Sequence, residues 1–275
     1  PAKVRDIIIG ELREISKKHG KPRRSRLIYA ADLEDAAAES EEEIPDYPCT
    51  LFFTAEGYFK KITPQSLRMS GEHKLKEGDR ILETVEASNN RDLLFFTSAG
   101  TVYKAKAADF GDTKASVLGD YVPSKLGFEE GEEAVYMAVT TDYGGYMLFF
   151  FENGKAAKVE MSAYATKTNR RRLVGAYSDK SPAAAIFYVP EDGEFLLTST
   201  SGRRLLLHTG AIAAKTTRNT IGVQVMTLKG NHRVQAVVPF REDMVTKPAR
   251  YRTKSLPAAG AVPLQEDIGE QLTLE

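Results

Sequence analysis

The cations are the residues whose types and spacing suggest chemistry. Lys60 and Lys61, Lys104 and Lys106, Lys155 and Lys158, and Arg203 and Arg204 each follow one of four similar phrases. Two further clusters, KTNRRR at 167–172 and KTTRN at 215–219, add Lys167, Arg170, Arg171, Arg172, Lys215 and Arg218. Ammonium and guanidinium groups interleaved with Thr and Asn suit backbone phosphates, which accept from cations, hydroxyls and amides alike. Such a set would bind double-stranded DNA without reading its sequence, and it can bend the duplex. A lone strand lysine is more often a guard against edge aggregation. Repetition in register favours the phosphate reading for the set.

Nothing comparable points to catalysis. His19, His73, His208 and His232 are scattered without metal-ligand spacing. Cys49, beside Pro48, has no nearby base and reads as a core thiol. No GxxxxGK[ST] phosphate loop occurs. No catalytic residue, metal or cofactor is expected in this chain.

The elements that must position the cations are written as a repeat. LFFTAEG (51–57), LFFTSAG (94–100), LFFFENG (148–154) and LLTSTSG (196–202) are variants of one phrase. Their glycines, at 57, 100, 154 and 202, set a period in the range of repeat architectures. Each phrase is an apolar run, a small turn ending in Gly, and a second run that carries the cations. That is a β-hairpin whose Gly takes a positive φ. A further apolar strand precedes each hairpin: 26–30, 80–85, 134–139 and 183–189. Residues 232–238 look like a fifth such strand, with a worn hairpin built from Met244–Thr246 and Ala249–Arg252. The expectation is all-β: a propeller-like closed array of about five hairpin-based blades, the fifth degenerate. Before it, Val4, Ile7, Ile8, Leu12 and Ile15 fall at helical spacing and end at Gly20, which predicts a short amphipathic helix. Residues 34–46 read as a solvated linker.

Composition is compatible with this picture. The chain has 275 residues, 42% hydrophobic, enough for a sizeable core. Its 38 basic and 38 acidic residues cancel, but they are segregated. Residues 203–233 hold Arg203, Arg204, Lys215, Arg218, Lys229 and Arg233 and no acid, while acidic runs lie at 39–43, 129–133 and in the tail after 261. A single cysteine suggests a reducing, cytoplasmic setting. No apolar run is long enough to span a bilayer. PAKVRD has neither an initiating Met nor signal-peptide character, which suggests an excised fragment.

LFFTAEGYFKKITPQSL (51–67), LLFFTSAGTVYKAKAADF (93–110) and YMLFFFENGKAAKVEMSAY (146–164) resemble one family. It is the A subunit of bacterial type IIA DNA topoisomerases, gyrase and topoisomerase IV, in its C-terminal DNA-wrapping β-pinwheel. IIIGELREISKKHGKPRRSRLI (7–28) is similar to the end of that family's coiled-coil arm. The resemblance implies residues 1–20 as the arm's end, 21–260 as the pinwheel and 261–275 as an acidic C-terminal tail. It implies strand exchange between blades and DNA bent around a basic rim formed by the cations named above. It also implies a nucleoid-associated role in which the domain works with the remainder of its own polypeptide, together with an ATPase B subunit. ATP and magnesium would be used by the parent enzyme, whose cleavage tyrosine lies elsewhere. The chain departs from the gyrase pattern in one place: where a QRRGGKG-type box would stand, it reads RMSGEHKLKEGD (68–79). That favours topoisomerase IV, with bending but no chiral wrapping. A gyrase domain with a degenerate box is one alternative, and a propeller-like protein-interaction scaffold is a second of another class. A propeller hydrolase would need converging carboxylates or histidines, which the sequence lacks. The acidic tail is expected either to compete with DNA for the rim or to be inert.

Overall fold

The computed structural model describes residues 2–20, 45–166 and 171–268. The chain divides into two compact units, 1–44 and 45–275. In the first, helix α1 spans Ala2–His19, as the periodicity predicts, and the Gly20 N–H closes its last turn on the Ser16 carbonyl at 2.8 Å. Its Val4, Ile7, Ile8, Leu12 and Ile15 stripe is exposed. The strand at 26–30 and most of the 34–46 linker lie outside the described residues.

The second unit is all-β and propeller-like. Its strands are β1 Pro48–Thr54, β2 Tyr58–Ile62, β3 Ile81–Ser88, β4 Asp92–Thr97, β5 Val102–Lys106, β6 Asp120–Tyr121, β7 Ala134–Thr140 and β8 Tyr146–Phe151. Then follow β9 Lys155–Glu160, β10 Arg172–Leu173, β11 Ala183–Val189, β12 Glu194–Ser199, β13 Arg204–His208, β14 Val223–Gln224 and β15 Val234–Pro239. They form four sheets: β3-β1-β2-β6, β10-β5-β4-β7, β11-β8-β9-β14 and β13-β12-β15. Each sheet is one blade, so the described residues form four blades and not the expected five.

The miscount has a topological cause. For hairpins 2 to 4, the apolar strand that precedes the hairpin in sequence does not join it. β3, β7 and β11 pair instead with β1, β4 and β8, the first strands of the hairpins before them. By the same rule β15 completes the fourth blade and opens no fifth one. The supposed fifth hairpin is a 3₁₀ turn at Glu242–Met244 and a short helix at Pro248–Tyr251.

The turn glycines behave as the phrase predicts: Gly57, Gly100, Gly154 and Gly202 have φ of 81°, 71°, 81° and 77°. The continuous apolar runs have a packing cause. β3 lies against β7, β7 against β11 and β11 against β15, so hairpins 2 and 3 are buried on both faces between neighbouring blades and hairpins 1 and 4 on one. Leu51 and Phe53 share one core layer with Leu93 and Phe95. Leu94 and Phe96 share the next with Phe149 and Phe151, and Leu148 and Phe150 the third with Phe195 and Leu197. At the seam, blade 1 is covered by Leu67, Ile81 and Ala115 around Phe52, and blade 4 by Val245 and Tyr251 around Leu196 and Leu206.

Blades also exchange strands. After each of hairpins 2 to 4 the linker returns to the preceding blade and adds β6 to β2, β10 to β5 and β14 to β9. Phe59 thus faces Asp120, Val102 faces Leu173 and Ala156 faces Val223. Blade 4 has no following blade, and the C-terminal segment stands in. Ala261 pairs with Arg204 through hydrogen bonds of 2.8 and 2.9 Å, at the same repeat position. The expected boundary at 260/261 therefore falls inside a folded cap.

Candidate nucleic-acid interface

Each described cation predicted for the rim has a definite place, and they do not share one surface. Lys60 is wholly buried, and its Nζ donates to the Lys74 and Ala115 carbonyls at 2.7 and 3.2 Å. Burial pushes its pKa down, with Asp79 opposing. Lys61, also buried, donates to Asn89 Oδ1 at 2.5 Å and lies 3.4 Å from Asp112 Oδ1. Lys158 is buried against Asp192 at 2.5 Å. Half-buried Lys104 donates to the Tyr164 carbonyl and Thr166 Oγ1, both at 3.1 Å. Burial lowers its pKa too. Lys61, Lys104 and Lys158 occupy one repeat position, opposite Leu51, Leu94 and Leu148. Each has a tyrosine ring within 5.5 Å: Tyr47, Tyr143 and Tyr146. They tie hairpins to neighbouring segments, so a rim of exposed second-strand cations is not what this fold builds.

The rest divide further. Lys106, Arg171, Arg203 and Lys215 are exposed. Arg172 is half-buried between Glu129, at 2.7 Å, and the Tyr103 ring. Arg204 donates Nη2 to the Asp267 carbonyl at 3.0 Å, and Arg218 donates Nη1 to the Ala163 carbonyl at 3.3 Å. Lys155 is half-buried at a hairpin tip. Lys167 and Arg170 lie outside the described residues.

A different cationic line emerges one strand further out. The exchanged linkers run beside the second strand of each hairpin, on the edge away from the β3, β7, β11 and β15 packing. Thr113 N–H donates to the Lys61 carbonyl, Lys215 N–H to that of Lys158 and Thr253 N–H to that of Leu206, while the Arg171 carbonyl accepts from Lys104 N–H. At or beside these matched points stand Lys114, Arg171, Lys215 and Lys254, one per blade, all exposed. None of the four forms an ion pair among the described residues. Lys114 and Lys254 do not stand out in the sequence, and the repeat of linkers, not of hairpins, is the signal that finds them. Among the described residues no cluster of His, Cys, Asp or Glu suits a metal. No helix of the described residues is long and apolar enough to cross a membrane.

The comparisons with known proteins converge. Residues 91–117 and 194–241 match the family model described as the DNA gyrase C-terminal domain, beta-propeller. Each match covers a hairpin with the linker or part of the linker behind it. The DNA gyrase A subunit of Mycobacterium leprae is 26% identical over 254 residues, covering 88% of this chain and 20% of that protein. The DNA topoisomerase 4 A subunit of Staphylococcus aureus is 24% identical over 229 residues, covering 82% of this chain and 28% of that protein. The chain thus spans well under half the length of these relatives. The crystal structure of the C-terminal domain of DNA topoisomerase IV shares the fold, with a TM-score of 0.69 and 19% identity over 79% of this chain and 73% of that one.

Proposed function

We propose that the chain is a C-terminal, propeller-like domain of the gyrase A and topoisomerase IV A subunit family, and that it binds and bends double-stranded DNA through the backbone. The observation that supports this most is the line of four exposed cations without ion-pair partners among the described residues, Lys114, Arg171, Lys215 and Lys254, repeated on the outer edge of successive blades. Phosphates along a duplex edge would meet these groups in turn, with Lys106 and Arg203 adding charge. Lys167 and Arg170 remain proposed contacts, since they flank Arg171. The buried lysines 60, 61 and 158 serve the fold and hold that edge in place.

The domain has no catalytic part of its own. It acts as a DNA-handling arm for a type IIA enzyme that cleaves with a tyrosine elsewhere and uses ATP and magnesium. Its partners are duplex DNA, the remainder of its own polypeptide and an ATPase B subunit, in the cytoplasm at the nucleoid. Because RMSGEHKLKEGD replaces a glycine- and arginine-rich box, the domain bends without imposing a wrapping hand, as suits topoisomerase IV.

Duplex binding measured across a salt series tests the proposal. Replacing Lys114, Arg171, Lys215 and Lys254 together by Gln should reduce the slope of log K against log salt by about 3 to 4, at roughly 0.9 per phosphate released. Lys60→Met should leave the slope unchanged. Salt-insensitive binding, or equal slopes for the quartet and the parent chain, would reject the rim.

A further inference from the structure

Two small cavities at hairpin tips occupy the same repeat position on blades 3 and 4. The first, of about 80 Å³, is lined by Lys155, Lys180, Ser178, Ser181, Asn153 and Ile221. The second, of about 230 Å³, is lined by Arg203, Lys229, Ser199, Ser201, His232 and Ala259. The equivalence is structural. Lys155 and Arg203 each directly follow the turn glycine, Gly154 or Gly202. Ile221 and Ala259 each precede the positive-φ glycine, Gly222 or Gly260, that opens the strand covering the blade. Lys180 and Lys229 each lie on the loop that leads into the blade's innermost strand, β11 or β15.

Two cations and two serines line each cavity, and on blade 4 the Ser199 and Ser201 hydroxyls lie 2.8 Å apart. Lys155, Lys180 and Lys229 form no ion pair among the described residues. Arg203 gives one Nη1 bond, of 2.7 Å, to the Gly260 carbonyl and has further donors left. Asp179 adjoins Lys180 in sequence but does not line the cavity. Blades 1 and 2 differ at this place. Tyr58 and Thr101 follow their turn glycines. Lys76 is occupied by Glu56 at 3.2 Å, and blade 2 presents Glu132, bonded to Tyr103 at 2.6 Å, and Glu129, bound by Arg172. The tips of blades 3 and 4 therefore carry cations without ion-pair partners among the described residues, and the acid of the blade 3 turn, Glu152, lies 3.6 Å from Arg233.

Two positive groups with hydroxyl donors match a tetrahedral, singly charged oxyanion better than a planar carboxylate. Seats repeated on adjacent blades match a ligand that repeats its charge along a chain. We propose that these cavities are two phosphate seats, each taking one phosphodiester group of duplex DNA where its path crosses from the linker edge to the tips of blades 3 and 4. This rests on the DNA-binding reading above.

The test uses the whole chain and four variants: Lys155→Gln with Lys180→Gln, Arg203→Gln with Lys229→Gln, both pairs together, and Lys76→Gln as a blade 1 control. Duplex binding is measured across a salt series, and backbone amide signals are followed during titration with inorganic phosphate. Each seat lost should lower the salt slope by about 1, both by about 2, and the control by none. Phosphate alone should shift the amides of residues 178–181 and 199–203 in the parent chain but not in the paired variants. Parent-like slopes in folded seat variants, with duplex binding intact, would overturn the seats and leave the rim standing. No salt-dependent duplex binding by the parent chain would overturn both. If phosphate shifted those amides in that case, the cavities would be sites for free phosphate and not for DNA.

Discussion

Lys60 and Lys61 are adjacent on β2, so their side chains leave the strand on opposite faces. Both are nonetheless buried, because blade 2 packs on one face of blade 1 and Leu67, Ile81 and Ala115 cover the other. Alternation was available from the sequence and ruled out a shared surface for the pair; that both faces were closed was not, since this depends on blade packing. Lys60→Met should cost about 1–3 kcal/mol in denaturant unfolding, because the Lys74 carbonyl loses its ammonium donor while that of Ala115 keeps only the Lys74 N–H. Asp267 is the clearest case of a residue whose role sequence could not reveal. It reads as part of an acidic tail, yet it is buried, and it accepts from Thr246 N–H at 2.8 Å and from the Thr246 and Tyr251 hydroxyls. Burial pushes its carboxyl up, but these hydrogen bonds outweigh burial and hold it at about 2. The folded value is below the unfolded one, about 3.9. The latch's contribution is therefore complete above about pH 4 and lost as pH falls toward 2. Asp267→Asn should loosen the same latch at neutral pH. Amide exchange should quicken across 245–268 while β1–β9 keep their protection, and unchanged exchange would show that the cap is held by packing alone.

At the scale of elements, the hairpins were legible and the two-residue strands were not. A seven-residue phrase with a glycine at a fixed place identifies a hairpin wherever it occurs. β6, β10 and β14 are too short for any periodicity, and their partners lie in the preceding blade. What marks two of them is glycine. Gly119 and Gly222 have φ of 90° and 72°, and a Cβ there would stand 2.3 Å from the Phe59 carbonyl and 2.4 Å from that of Ala156. The exchanged strand can approach the hairpin only where the side chain is missing. Gly222→Ala should therefore lower stability by more than the roughly 1 kcal/mol of an ordinary glycine replacement, through both strain and a forced separation of β14 from β9. Thermal unfolding beside Gly78→Ala, at a φ of 78° but with nothing within 4 Å of its Cβ, separates the two effects. Equal melting temperatures would contradict the close approach.

For the whole molecule, the repeat spacing led to a propeller-like array, and the number of blades followed only from which hairpin each closing strand joins. The same shift by one element moved the cationic edge from the second strands to the linkers. With four blades and a C-terminal cap in place of a fifth, the outer edge ends at Lys254 and the cap beyond it. A duplex held by phosphates at successive blades must curve to follow them, and bending a site of 20–30 base pairs costs on the order of 1–6 kcal/mol, which several phosphate contacts can offset. Energy transfer between dyes on the two ends of such a duplex, titrated with the chain across a salt series, tests this most directly. The account predicts a rise in transfer on binding at low salt that is lost steeply as salt increases and is much reduced in the Lys114, Arg171, Lys215 and Lys254 quartet. Binding at low salt with no rise in transfer would contradict bending, and no binding by the folded chain would contradict the DNA-binding edge itself.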